Sequence, residues 1–211
     1  MNEILKKISK CKTIIPVGAI LFCVATYIVS LFKLTVNTDL FLSDKGFINI
    51  DSNLQTNIKN IYCIGDANGK TLLAHAAMTQ AMEVVEHICT GEEVKDDIAV
   101  PMTVFTSPAI ARIGECKDVA IGFHPYSFVG YSQVTSHSEG YFKIFRDIET
   151  DTLLGAEIVG HNACELIHVL APYVNKKLST RMFSDMMFAH PTLSEGIKAA
   201  VEASYIKSPQ A

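Results

Sequence analysis

The stretch His190-Pro191-Thr192-Leu193-Ser194-Glu195, followed by Gly196-Ile197-Lys198-Ala199-Ala200-Val201, decides how the rest of this chain is read. Pro191 fixes φ just ahead of a helical pattern, and Thr192 and Glu195 stand at the T-x-x-E spacing of a capping box. On that reading Glu195 satisfies a backbone donor at a helix start. A second reading pairs Glu195 with His190. A carboxylate that holds an imidazole raises its basicity and fixes its tautomer, which a general acid/base near neutral pH requires. Spacing alone leaves both readings open.

Upstream of this stretch the pattern is that of strands. Gly140 to Arg146 and Leu153 to Gly160 are strand-like runs, and the polar Asp147 to Thr152 between them is short enough for a hairpin turn. Pro101 to Pro108 reads as an extended segment ending in a turn. Ala163 to Asn175 reads as an amphipathic helix with Leu166, Ile167, Leu170 and Val174 on one face. Strands, then a helix, then the His190 loop and a final helix predict an α+β layer, an antiparallel sheet with packed helices. His137, His161 and His168 invite a metal site, but no second ligand shares a helical face with them at the right spacing, and no metal is expected.

Further upstream, Gly46 to Asp51 alternates in strand fashion. Asn60 to Ile64 reads as a short buried strand that stops at Gly65-Asp66. A helix follows, roughly Leu72 to Cys89, with Gly91 placed to end it. A strand that delivers a carboxylate to the start of a helix makes an α/β ligand site, since the helix N-terminus offers free N–H groups and partial positive charge. Asp66 is also a plain helix-start residue on the same evidence. Gly65 to Thr71 imitates a P-loop but has three residues between its glycines where four are needed, so a nucleoside triphosphatase is excluded. Glu92 to Asp97 is a charged connector.

The apolar content of 49% supports a packed core, and the net charge of −4 gives no reason to expect a nucleic-acid partner. Six cysteines at 11, 23, 63, 89, 116 and 164 include no C-x-x-C or C-x-x-x-x-C pair and read as reduced core residues.

Phe188-Ala189-His190-Pro191-Thr192-Leu193-Ser194-Glu195 resembles the C-terminal signature of the FAD- and NAD-dependent disulfide reductases, the pyridine nucleotide-disulfide oxidoreductase family, and is most similar to their dihydrolipoamide dehydrogenase branch. Thr56 to Asp66 resembles the family's second FAD fingerprint, and Leu73-Ala74-His75 its L-A-H at the head of the next helix. The resemblance implies catalytic roles for His190, the acid/base beside a redox thiol of the other subunit, and for Glu195, which orients it. It implies that Asp66 accepts a hydrogen bond from the ribityl chain of FAD and that Leu73, Ala74 and His75 face the flavin. It also implies a homodimer, and an interface/dimerisation domain over 98–211 preceded by a remnant of an α/β FAD-binding domain over 36–97. Phe188 departs from the family, standing where a second histidine is often found.

No G-x-G-x-x-G for the FAD pyrophosphate, no redox C-x-x-x-x-C and no glycine fingerprint for NAD occurs in the sequence. The expectation is therefore a C-terminal part of such a reductase, with only a partial FAD site, no NAD site, and no activity without a chain supplying the FAD/NAD half. The alternative is a non-catalytic dimerisation or regulatory module.

Residues 1–35 fit none of this. Thr13 to Phe32 runs without a charge after the lysine-rich Met1 to Lys12, and about 20 apolar residues are the length a helix needs to cross a bilayer. A membrane anchor, a cleaved signal peptide, buried strand material and an aggregation-prone relic of a nucleotide-binding domain all compete for the segment. The lysine asymmetry would send the following module across the membrane, against the cytoplasmic or mitochondrial-matrix setting that the resemblance implies.

Overall fold

The computed structural model describes residues 39–95, 98–116 and 120–206. Thr13 to Phe32 lies outside the described residues, and among the described ones no helix is long and apolar enough to cross a membrane. The chain divides into two compact units, residues 1–96 and 97–211.

In the first unit the expected strands at Gly46–Asp51 and Asn60–Ile64 do not form ladders. Among the described residues of this unit, single bridges alone join Leu42 to Ile48 and Gln55 to Tyr62. The reason lies in where the backbone hydrogen bonds go. Asp51 Oδ1 takes the N–H groups of both Asn53 and Gln55, each at 2.9 Å, and bends the chain there. Ile48 donates to the Ala67 carbonyl and Asn49 to that of Phe41, so little is left for a pairing strand. Leu54, Cys63, Ile64 and Val84 make a small core. Val84 comes from helix α1 (Ala74–Thr90), which begins two residues later than its pattern suggests because Leu73 is extended. Gly91, at φ 76°, closes it by donating its N–H to the His87 carbonyl.

The second unit is the expected α+β layer. Five antiparallel strands, β1 (Met102–Val104), β2 (Ala109–Gly114), β3 (Ala120–Pro125), β4 (Tyr141–Arg146) and β5 (Leu153–Gly160), lie in the order β1-β2-β5-β4-β3. The predicted β4–β5 hairpin pairs Phe142 with Ile158 and Ile144 with Ala156. These four side chains, with Ala111 and Ile113 of β2, form one fully buried face. Residues of α2 (Gly130–Val134), α3 (Ala163–Leu166), α4 (Ala171–Lys176), α5 (Thr180–Ser184) and α6 (Ser194–Ala203) surround or cover the sheet. Burying each large aliphatic there contributes about 1.5–3 kcal/mol.

The single helix expected over Ala163 to Asn175 is broken. A 3-10 turn, Ile167–Val169, separates α3 from α4. Pro172 lies in the first turn of α4 and has no N–H for the carbonyl four residues back, so a new helix starts where the old one cannot continue. Leu166, Ile167 and Leu170 still reach the core. Tyr126, just after β3, stacks on Phe142 at 4.3 Å and donates its hydroxyl to the His161 carbonyl.

Helix α6 touches the sheet through glycines. A Cβ at Gly122 of β3 would overlap the Ala200 carbonyl, and one at Gly196 would strike the Phe142 ring. Below this contact lies a polar tie. Buried Arg146 donates to the Ser204 carbonyl at 2.8 Å, to Ser204 Oγ at 3.1 Å and to Asp151 Oδ1 at 3.2 Å. Asp151 also accepts from the hydroxyls of Ser179 at 2.6 Å and Thr180 at 2.9 Å. Burial acts to raise the Asp151 pKa, but these hydroxyl donors and Arg146 outweigh it and hold the carboxyl below its ordinary value. Its stabilising contribution is thus complete above an ordinary value of 3.8 and is lost as pH falls through the lower folded value. Asp151→Asn is expected to lower stability at pH 7 by about 1–3 kcal/mol. In urea unfolding the gap to the parent chain should close below pH 4, and a gap that persists in acid would contradict the assignment.

Candidate functional site

His190 is delivered by a loop fastened on both sides. Before it, Phe188 leans on the buried Phe183 ring at 5.3 Å, which is the packing use of the position where the resemblance led to a histidine. After it, Thr192 Oγ1 donates to the Ala189 carbonyl at 2.8 Å. Glu195 stands in the first turn of α6, a helix fixed by the sheet.

The two readings of the motif turn out to coexist on one carboxylate. Glu195 Oε2 accepts the Thr192 backbone N–H at 2.8 Å, and Oε1 lies 2.8 Å from His190 Nδ1. Only half of the capping box forms, because the Thr192 hydroxyl turns back to Ala189. The Thr192 N–H, followed by the His190 hydrogen bond, holds the Glu195 carboxyl below its usual range. An ionised carboxylate only accepts, so Nδ1 carries the proton and Nε2 is the acceptor in the neutral ring. The imidazole side chain is 77% exposed, which opens it to a reactant. Such a pair can take a proton at Nε2 and return it. Behind the motif, Thr192 and Leu193 line a cleft of about 350 Å³ with Tyr131 and Glu165.

The other predicted site residues belong to the first unit. Asp66 is half-buried in a 3-10 turn, Gly65–Asn68, and not at the start of α1, which begins eight residues later. That turn is braced from α1 by a residue that spacing did not reveal. Gln80 Oε1 accepts from the Gly65 N–H at 2.7 Å and from Asn68 Nδ2 at 3.0 Å. Asn68 also donates to the Cys63 carbonyl. Leu73 precedes α1 without a side-chain cap, while Ala74 and His75 are exposed in its first turn. The glycine at 69, half of the false P-loop, is accounted for by packing, since a Cβ there would strike the Phe47 ring.

His137 and His161 stack face to face at 4.0 Å, and among the described residues no group of three or more His, Cys, Asp or Glu is arranged for a metal. Cys116 and Cys164 are free thiols. Burial raises the Cys116 thiol against the pull of Arg112.

Similarity to known proteins agrees with this architecture. The pyridine nucleotide-disulphide oxidoreductase dimerisation domain matches residues 100–201, and the pyridine nucleotide-disulphide oxidoreductase domain matches residues 2–81. The chain is 34% identical over 176 residues to the dihydrolipoyl dehydrogenase of Corynebacterium glutamicum, an alignment covering 78% of this chain and 38% of that protein. It is 32% identical over 186 residues to the mitochondrial dihydrolipoyl dehydrogenase of Pisum sativum, covering 84% and 36%. The chain thus spans well under half the length of these relatives. The crystal structure of LpdA from Mycobacterium tuberculosis superposes with a TM-score of 0.71 at 26% identity, over 78% of this chain and 38% of that one. The flavoprotein disulfide reductase RclA from Escherichia coli shares the fold, with a TM-score of 0.73 at 23% identity over 79% and 40%.

Replacing Glu195 by Gln is expected to release the imidazole from a single tautomer, because an amide oxygen cannot serve both His190 Nδ1 and the Thr192 N–H as two carboxylate oxygens do. Nitrogen-15 shifts of the His190 ring would read a tautomer mixture in Glu195→Gln. Unchanged shifts would mean that Glu195 does not set the tautomer.

Proposed function

We propose, from the premise that the chain belongs to the pyridine nucleotide-disulphide oxidoreductase family, that it contributes the acid/base pair and the dimer-forming domain of a dihydrolipoyl dehydrogenase-like flavoprotein. The observation that supports this most is the 2.8 Å contact between His190 Nδ1 and Glu195 Oε1 beneath an exposed imidazole. In this reading Nε2 of His190 takes the proton of a dihydrolipoamide thiol. The thiolate so formed attacks a disulfide sulfur supplied by a complementing chain, since only a thiolate exchanges efficiently. The Nδ1–H bond to Glu195 holds the ring's orientation through the transfer and stabilises it while protonated.

FAD, when bound, relays electrons from the dithiol to NAD. The residues of the first unit suit one part of such a cofactor. Asp66 offers a carboxylate on a turn braced by Gln80, which fits a hydroxyl of the ribityl chain. The N-terminal end of α1, around Leu73, Ala74 and His75, carries the positive end of the helix dipole, which suits the electron-rich edge of a flavin ring. Phosphate and adenine contacts, and the whole NAD site, are assigned to the complementing chain. This reading requires a homodimer of the chain, with His190 serving the disulfide of the complementing chain that is bound to the other subunit.

The test is complementation. The pure chain should oxidise no dihydrolipoamide with NAD. Mixed with the N-terminal portion of the Corynebacterium glutamicum dihydrolipoyl dehydrogenase, it should restore NADH formation, and His190→Gln should abolish the gain. Turnover by the pure chain, or restoration that survives His190→Gln, would refute the proposal. Stable self-association without restoration would favour a non-catalytic dimerisation module.

A further inference from the structure

The segment between α5 and His190 contains Asp185-Met186-Met187-Phe188-Ala189, and its two methionines differ sharply in circumstance. Met187 is 97% exposed, with its thioether in solvent. Met186 is held from two directions. The Tyr173 hydroxyl, on α4, donates to its sulfur at 2.9 Å, and Lys198 Nζ, on α6, donates to its carbonyl at 3.1 Å. Tyr173 is itself seated edge-on against the buried Phe183 ring at 5.1 Å. Met186 therefore ties the entry of the His190 loop to two helices. It remains 38% exposed, within reach of a small oxidant.

We propose that Met186 is an oxidation-sensitive clasp on the His190 loop, with a hydroperoxide as the reagent it responds to. The thioether sulfur gives an electron pair to one peroxide oxygen. An S–O bond forms as the O–O bond breaks, and the hydroperoxide leaves as water or the corresponding alcohol, so that thioether plus hydroperoxide gives sulfoxide plus hydroxyl compound. The product is larger, polar and chiral. An O–H···O hydrogen bond alone needs about 2.7 Å between its oxygens. In a sulfoxide the oxygen, not the electron-poor sulfur, accepts the hydrogen bond, so the 2.9 Å phenol-to-sulfur bond is lost on oxidation. Either Tyr173 leaves its seat on Phe183 or Met186 moves, and His190 is four residues further on. Met186 is a positioning residue in this scheme, acting through the loop and not on a substrate. Sulfoxide formation is reversible by methionine sulfoxide reductases, so the clasp can be re-formed.

The inference rests on His190 as the acid/base only for its consequence. Its test reads the imidazole and not turnover, so a failed complementation experiment would leave it standing. The full chain, labelled with carbon-13 at histidine, is treated with increasing hydrogen peroxide. Sulfoxide at each methionine is quantified by peptide mass spectrometry. The His190 Cε1–Hε1 resonance, assigned by its loss in His190→Gln, is followed in parallel. It should shift in proportion to Met186 sulfoxide and return after reductase treatment. Met187→Leu should keep the response, and Met186→Leu, a substitution of similar volume, should abolish it. A shift that persists in Met186→Leu, a resonance that stays put when Met186 is fully converted, or a Met186 that resists oxidation would each overturn the proposal.

Discussion

Helix α6 lies against strand β3 with no side chain between them at Gly122, where the Ala200 carbonyl occupies the space a Cβ would need. Glu195 sits at the start of that helix, and its position relative to the sheet is set by this approach and by Gly196 against the Phe142 ring. Ile197, Ala200 and Val201 are fully buried on the same side. The burial holds the helix down, and the two glycines determine how near it comes. Everything the site offers follows from that fixed helix start.

Electrostatics then work at two points along the same helix. At its start, one carboxylate divides its oxygens between a backbone N–H and an imidazole, so Glu195 is both cap and orienter. Past its end, the buried guanidinium of Arg146 is satisfied by Ser204 and by Asp151, and its plane lies 4.4 Å from the centre of the Tyr205 ring. Both carboxylates are held below their ordinary pKa values, so each interaction has its ionised partner near neutral pH and loses it in acid. The His190–Glu195 pair and the Arg146 tie are therefore linked by the helix they share.

Much of this was legible locally. The β4–β5 hairpin is written as two strand-like runs around a polar six-residue turn, and His190 and Glu195 as a histidine and a carboxylate about a proline at a helix start. The break in Ala163 to Asn175 had a mark in the sequence, Pro172 inside the run, but the regular apolar spacing masked it. The alternation at Gly46–Asp51 misled for the opposite reason. Apolar spacing reports which side chains are buried, and here the backbone partners are turns and loops. What no local pattern could disclose are the ties between residues distant in sequence. Arg146 meets Ser204 across 58 positions, and Gln80 meets Gly65 across 15. Glutamine, serine and arginine carry no periodic signal that marks such a partner.

The claim that the site depends on the closeness of α6 to the sheet is tested most directly by Gly122→Ala. One methyl group added there cannot be accommodated by a side-chain rotation, because the atoms it meets are the backbone of Ala200 and Ser204. Overpacking of this kind costs about 1–3 kcal/mol or more. The measurement is the urea midpoint of the variant together with the His190 ring resonances in the folded protein. A lowered midpoint accompanied by shifted His190 resonances is the expected result. A variant with the parent's midpoint and unchanged His190 resonances would contradict the dependence of the His190–Glu195 pair on that contact.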